Sequence, residues 1–370
     1  MQENINQNRI PEMDILKGIA IILVVVGHTK VPGNSFIYLF HMAVFFIVSG
    51  YFYSEKSSES LKAVWKFTKK KIVSLWFPFS LGISLFTILN NFFVRVGILT
   101  NNTKIYDYVP QRYGSIHSLL SLGEMLKNML KTLAFSGSAQ LAGTFWFFKT
   151  LFLVSIMYCI IDFCLKSFCK FMKLNVNKQW PQILISLILL VFGYTLATHN
   201  KNLAGMTRVF LVYCLYCGGY LLRKVQRVKL NVAGVLTIGG LVVLCLCNKI
   251  GTIALDKLEI YNPVFYLCCS FAGMCFLYGI SRFIGAYLNK IGGLAYIGKH
   301  SMAIMIGHFL CFKLVSYGLI VAWKIPYFCA AAFPVLTDTG VWWMVYTLVG
   351  VGMPLAAQYT WRKLNRAFRR

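Results

Sequence analysis

The chain has 370 residues, of which 58% are hydrophobic and 13% charged, and its net charge is +26. A soluble globular protein is about one-quarter charged, so that class is excluded. The positive excess would suit a nucleic-acid binder, but the lysines and arginines fall in short clusters between apolar runs, where they set membrane topology. No nucleic-acid partner is expected.

Apolar runs of roughly 20 residues, enough to cross a bilayer core of about 30 Å, recur along the whole chain. They predict an all-α, polytopic transmembrane helical bundle, a single domain over 1–370. Residues 1–10 lack the basic stretch and cleavage site of a signal peptide, so the first span is expected to be retained. Ten spans are predicted, near 13–29, 35–53, 75–97, 144–166, 181–199, 205–222, 230–249, 261–282, 298–322 and 340–361. Basic residues favour the side that holds both termini, which are therefore expected to be cytoplasmic.

Between the second and third spans, residues 54–76 place Leu61, Val64, Trp65, Thr68, Ile72 and Leu75 at helical spacing with lysines between them. That pattern predicts a basic amphipathic helix in the inner interface. It would anchor to anionic lipid or bind a phosphate-bearing ligand. The longest outer loop, 99–143, holds Tyr106, Tyr108, Tyr113 and His117 and a predicted helix over 119–133. Its aromatics suit stacking on sugars or the membrane interface. The 12 cysteines lie mostly in apolar spans. Cys214-x-x-Cys217 has redox spacing, but buried cysteine behaves as a small hydrophobe, and neither a disulfide nor a metal is expected.

The side chains that could do chemistry cluster early. On a helix, Asp14, Lys17 and His28 share one stripe about 60° wide, with Asp14 and His28 roughly 21 Å apart along the axis. Asp14 therefore belongs to the inner end, paired with Arg9, Lys17 or a base of the amphipathic helix, and His28 to the outer half. In the second span His41, Phe45 and Ser49 repeat at i, i+4, i+8. A continuous helix puts His41 about 9 Å below the outer end, near the depth of His28, so that the two imidazoles could share one cavity. A histidine in an apolar span is a functional candidate, and a neutral imidazole suits general-base work. The bland reading is that each ring satisfies a carbonyl or hydroxyl of a neighbouring helix. His300 and His308 form a second candidate pair in the ninth span.

The run Arg9-x4-Asp14-x2-Lys17-Gly18-Ile19-Ala20 to Gly27-His28 resembles the first helix of the membrane-bound acyltransferase-3 family. Phe40-His41-Met42, Phe45-Phe46 and Ser49-Gly50-Tyr51-Phe52 resemble its second helix. Phe67 to Pro78, with Lys69-Lys70-Lys71, resembles the basic stretch leading into its third. Trp146-Phe147-Phe148, Tyr296-Ile297-Gly298-Lys299-His300-Ser301 and His308 resemble later motifs. Ser74 stands where the family often has arginine, Ala43 where it often has proline, and no hydrolase-like domain is appended.

The resemblance implies an O-acyltransferase that moves an acetyl group from cytoplasmic acetyl-CoA to a sugar hydroxyl of an envelope glycan. His28 would be the catalytic histidine, as base or acyl carrier, with His41 assisting. Arg9, Asp14 and Lys17 would shape the donor's end of the cavity, and Lys69, Lys70 and Lys71 would meet its phosphates. Ser49, Trp146 and His308 would bind substrate. Expected partners are acyl-CoA, a carbohydrate or lipid-linked glycan acceptor and membrane lipids, with a homo-oligomer left open, in the cytoplasmic membrane of a bacterium. The rival readings are a transporter or flippase, whose polar residues would line a pathway, and an assembly protein whose histidines serve packing.

Overall fold

The computed structural model describes residues 10–110, 114–173, 179–225, 229–287 and 292–367. Arg9 and Tyr113, singled out above, lie outside them. The helices are α1 Pro11–His28, α2 Asn34–Tyr38, α3 His41–Tyr51, α4 Leu61–Lys71, α5 Phe77–Ile88, α6 Asn90–Arg95, α7 Leu122–Leu133, α8 Trp146–Phe171, α9 Gln179–Thr198, α10 Met206–Leu222, α11 Leu230–Ile250, α12 Pro263–Tyr287, α13 Gly292–Lys299, α14 Ser301–Trp323 and α15 Trp342–Ala367. The strand content among the described residues is one antiparallel hairpin, β1 Ile253–Ala254 with β2 Glu259–Ile260. The fold is an all-α polytopic bundle.

Eight helical stretches among the described residues are long and apolar enough to cross a membrane. The first and last predicted spans also form helices but are not among the eight. Helix α1 carries Glu12, Asp14 and Lys17 within 18 residues, and α15 dilutes its apolar run with Trp, Tyr, Gln and a basic end.

Three predicted spans differ in detail. The second is broken: Leu39 and Phe40 form a turn between α2 and α3. His41 opens a new helix, so a depth counted along one straight rod from Ser35 does not apply to it. The third runs from Leu61 to Ile88 as one helical stretch. Pro78 has no N–H to give the carbonyl four residues back, and the helix widens into a π turn over Ile72–Trp76. The ninth is interrupted at His300, between α13 and α14.

Residue contacts cluster into two compact units. The first comprises Met1–Ile21, Ser35–Leu75 and Thr150–Lys299. Here α10 packs on α3 and α9, and α11 on α12. Helix α10 is buried along most of its length and is mainly apolar, with Arg208 near its start donating to the Leu255 and Asp256 carbonyls. Two glycine pairs let backbones touch. A Cβ on Gly50 of α3 would strike the Tyr216 carbonyl, and one on Gly219 of α10 would strike that of Ile47. Gly18 of α1 and Gly298 of α13 meet Leu294 and Asp14 in the same way. Small residues facing each other are the usual device for close packing of helices in lipid.

The second unit comprises Ile22–Asn34, Trp76–Lys149 and His300–Arg370. Helix α14 packs on α15, and α7 on α5. Much of the predicted outer loop therefore folds back along a helix. Trp76 Nε1 donates to the Leu133 carbonyl at 3.2 Å, and Asn91 Nδ2 to the Leu120 carbonyl at 2.8 Å. These two bonds tie opposite ends, so α7 runs antiparallel to α5. Its start is a capping box: Ser121 Oγ accepts from Glu124 N–H, and the Glu124 carboxylate accepts from Ser121 N–H at 2.7 Å.

Candidate active site

His28 is the last residue of α1 and is partly accessible. Within the second unit its ring neighbours are His308 and Phe309, both from α14. The imidazoles of His28 and His308 stack with centroids 5.4 Å apart and planes 22° apart. Phe309 lies 4.8 Å from the first ring and 4.2 Å from the second. It also packs on Phe333, at 4.7 Å. Two residues that were separate candidates in the sequence thus form one centre.

His308 is wholly buried. Its Nδ1 lies 2.8 Å from the Ile304 carbonyl, one turn back. A carbonyl can only accept, so Nδ1 carries the hydrogen and Nε2 keeps its lone pair. That Nε2 has no hydrogen-bond partner among the described residues. A buried acceptor left without a donor costs roughly 1–3 kcal/mol. The cost is recovered when a donor reaches that nitrogen.

The other predicted residues are placed as follows. His41 is buried in the first unit, its Nδ1 2.7 Å from the Ile37 carbonyl and its ring edge-on to Tyr38. Ser49 Oγ donates to the Phe45 carbonyl at 2.7 Å, a bond within its own helix. Asp14 pairs with Lys17 at 2.7 Å, one of the three partners foreseen for it; Arg9, another, lies outside the described residues. The Lys17 ammonium also lies 5.7 Å from the Phe52 ring.

Lys69, Lys70 and Lys71 close α4. Successive residues turn by about 100°, so the three cannot all face one phosphate. Lys69 lies over Trp65 and Lys71 over Phe67, at 5.2 and 5.3 Å. Trp146 opens α8 and stands edge-on to Phe147. His300 precedes α14, and its Nε2 accepts from Arg362 Nη1 at 2.6 Å.

A family model, Acyl_transf_3, described as an acyltransferase domain, matches residues 10–359. The chain belongs to the acyltransferase-3 family. No curated protein and no solved structure matches it. With its apolar helices, it is a multi-pass membrane acyltransferase.

Several polar residues of the acyltransferase escape a motif reading because their partners are distant in sequence. Glu12, 4% exposed, pairs with Arg282 of α12 at 2.7 Å. Asp162 of α8 accepts from Tyr53 at 3.1 Å and from Ser58, and pairs with Lys166 at 2.8 Å. Tyr220 donates to Glu55. These bonds fasten residues 53–58, and with them the start of α4, to α8 and α10.

In the second unit Lys313 of α14 is 1% exposed and gives its ammonium to the carbonyls of Ala330, Ala331 and Ala332, at 3.1, 3.1 and 2.7 Å. Replacing Lys313 with Met keeps the stem and strands those carbonyls. The expected loss is about 3 kcal/mol, given the cost of each unmet acceptor. Thermal unfolding in detergent reads it, and an unchanged midpoint would deny the lysine this role.

His117, in the loop before α7, has its Nε2 3.1 Å from Ser115 Oγ. Burial, and then the Lys313 ammonium, push its imidazole below the ordinary value of 6.5. The unfolded chain therefore binds the proton more readily. His117 adds nothing against folding above pH 6.5 and lowers stability as pH falls below that value, until the folded pKa is passed. The unfolding midpoint should fall more between pH 7 and 5 in the parent than in His117→Asn. Equal slopes would contradict this.

Proposed function

We propose that this acyltransferase moves an acetyl group from cytoplasmic acetyl-CoA to a hydroxyl of a cell-envelope glycan, in the cytoplasmic membrane of a bacterium, with His28 as its catalytic histidine. The observation that carries the proposal is the stacked His28–His308 pair, one ring partly accessible and the other buried with a ring nitrogen that has no partner among the described residues. Family membership supplies the reaction class.

In the proposed step His28 takes the proton of the acceptor hydroxyl as its oxygen attacks the thioester carbonyl. A new C–O bond forms, the C–S bond breaks, and the proton passes from the imidazolium to the departing thiolate. The products are an O-acetyl ester and free coenzyme A. His308 lies behind this ring as a positioning residue, its orientation fixed by the Ile304 carbonyl. Lys69 and Lys70, exposed at the end of α4, would meet the donor's phosphates as point charges. Asp14 and Lys17 would shape the donor's approach, and His41, Ser49 and Trp146 would contact substrate.

The test is transfer of radiolabelled acetyl from acetyl-CoA to an envelope glycan fraction by protein in proteoliposomes. Label should appear in alkali-labile form on sugar. If labelled acetyl-CoA is neither bound nor consumed, while the protein moves a sugar across the vesicle membrane, the transporter reading replaces this one.

A further inference from the structure

The second unit contains a cavity of about 710 Å³ between α5, α7 and residues 138–141. That lies within the span of roughly 300–1,000 Å³ usual for small-molecule sites. We infer that it binds the sugar unit that accepts the acyl group. The inference takes the word acceptor from the acyl-transfer reading, but sugar binding here can be tested without any transfer.

The walls suit a sugar. Phe86, Phe93 and Phe333 supply apolar surface for the C–H faces of a ring. The polar side is stiff. Asn128 Nδ2 donates to Thr87 Oγ1 at 2.7 Å and to the Ser138 carbonyl at 2.9 Å. Asn90 Nδ2 donates to the Ser118 carbonyl at 3.1 Å. All of these residues line the cavity. Groups already held by the protein lose little freedom when a ligand arrives, which is where affinity for small polar ligands is gained.

One lining group is not satisfied. Gln140 Oε1 is buried and has no hydrogen-bond partner among the described residues. Such an oxygen requires a donor, and a hydroxyl is the donor a sugar offers in abundance. Helix α7 adds Lys127 and Lys131 to the same lining, where their ammonium groups can donate to further sugar oxygens. The exposed side of α7 is a leucine stripe, Leu122, Leu126, Leu130 and Leu133. The helix therefore turns different faces to the cavity and away from it, as a wall segment of a membrane protein must when its polar side lines a wet space.

Position completes the argument. Phe333 lines the cavity and packs on Phe309, which packs on His28. The cavity wall thus stands two aromatic contacts from the histidine pair, all within one unit.

The experiment is saturation-transfer NMR on the full chain in detergent, with the methyl glycosides of glucose, rhamnose, fucose and N-acetylglucosamine as probes. At least one should bind the parent protein. Ala139→Trp, which fills the cavity from its lining, should abolish binding. Gln140→Met, close in length but without the acceptor oxygen, should weaken it about fivefold, the worth of one hydrogen bond. Both variants should keep the parent's elution profile and its affinity for acetyl-CoA. The inference is overturned if none of the four sugars binds the parent, or if both variants bind as the parent does. Sugar binding without acyl transfer would instead remove the functional reading and leave the cavity's role standing.

Discussion

His28→Ala should lower acyl transfer by about 10²- to 10⁴-fold, the range a positioned acid–base group contributes, while acetyl-CoA still binds. His28 is partly accessible at the end of α1, so removal of its ring opens space without stranding a buried charge. The variant should insert and elute like the parent. His28→Gln, which hydrogen-bonds but cannot carry a proton at neutral pH, should be as inactive as alanine. A variant that retained most of the parent rate would leave the imidazole without a part in the chemistry. One that lost only donor affinity would make it a binding residue.

Gly298→Val should be strongly destabilising to the first unit. A Cβ at this position would overlap the Asp14 carbonyl and press on Gly18 N. Both are backbone atoms of α1, which cannot swing aside as a side chain can. Overpacking in a tight core costs about 1–3 kcal/mol even where side chains can give way, so at least about 3 kcal/mol is expected against rigid backbone. The Asp14–Lys17 pair at 2.7 Å sits on the turn that would be pushed out, and donor affinity should fall with stability. Gly292, with open space around its Cα, is the control: Gly292→Ala should leave the unfolding midpoint within a degree or two or raise it slightly. Equal effects of the two substitutions would show that the α1–α13 approach is not a tight contact.

Much of the fold was legible because spans of this kind announce themselves by length. Apolar runs of roughly 20 residues and the charges between them fix where helices lie in the chain, and helices appear at all ten predicted places. Interruptions were harder to read. Pro78 signals a disturbance, but the π turn before it depends on how the chain accommodates the missing N–H. The turn at Leu39–Phe40 has neither Gly nor Pro to mark it. That turn matters, because the shared-cavity argument for His41 and His28 counted residues along an unbroken helix.

Spacing put Lys17 among three possible partners of Asp14, and the pair that forms is the local one, three residues on. It could not place His308 beside His28, because that contact joins residues far apart in the chain. Nor could it find Gln140, Phe309 or Phe333, which belong to no motif and gain meaning only from the cavity and rings around them. The motif glycines Gly18, Gly50 and Gly298 were quoted for family likeness. Their physical reason, backbone against backbone, needed the partner helix.

The most direct test of the account is a double-mutant cycle on acetyl transfer with His28→Ala, His308→Ala and the double variant, all as intact protein in proteoliposomes. If His308 acts through His28, His28→Ala should cost at least about 10²-fold and His308→Ala a smaller but clear loss. The double should then be scarcely worse than His28→Ala alone, as for groups that serve one step. Full activity in His28→Ala, or losses that multiply as for independent sites, would contradict it.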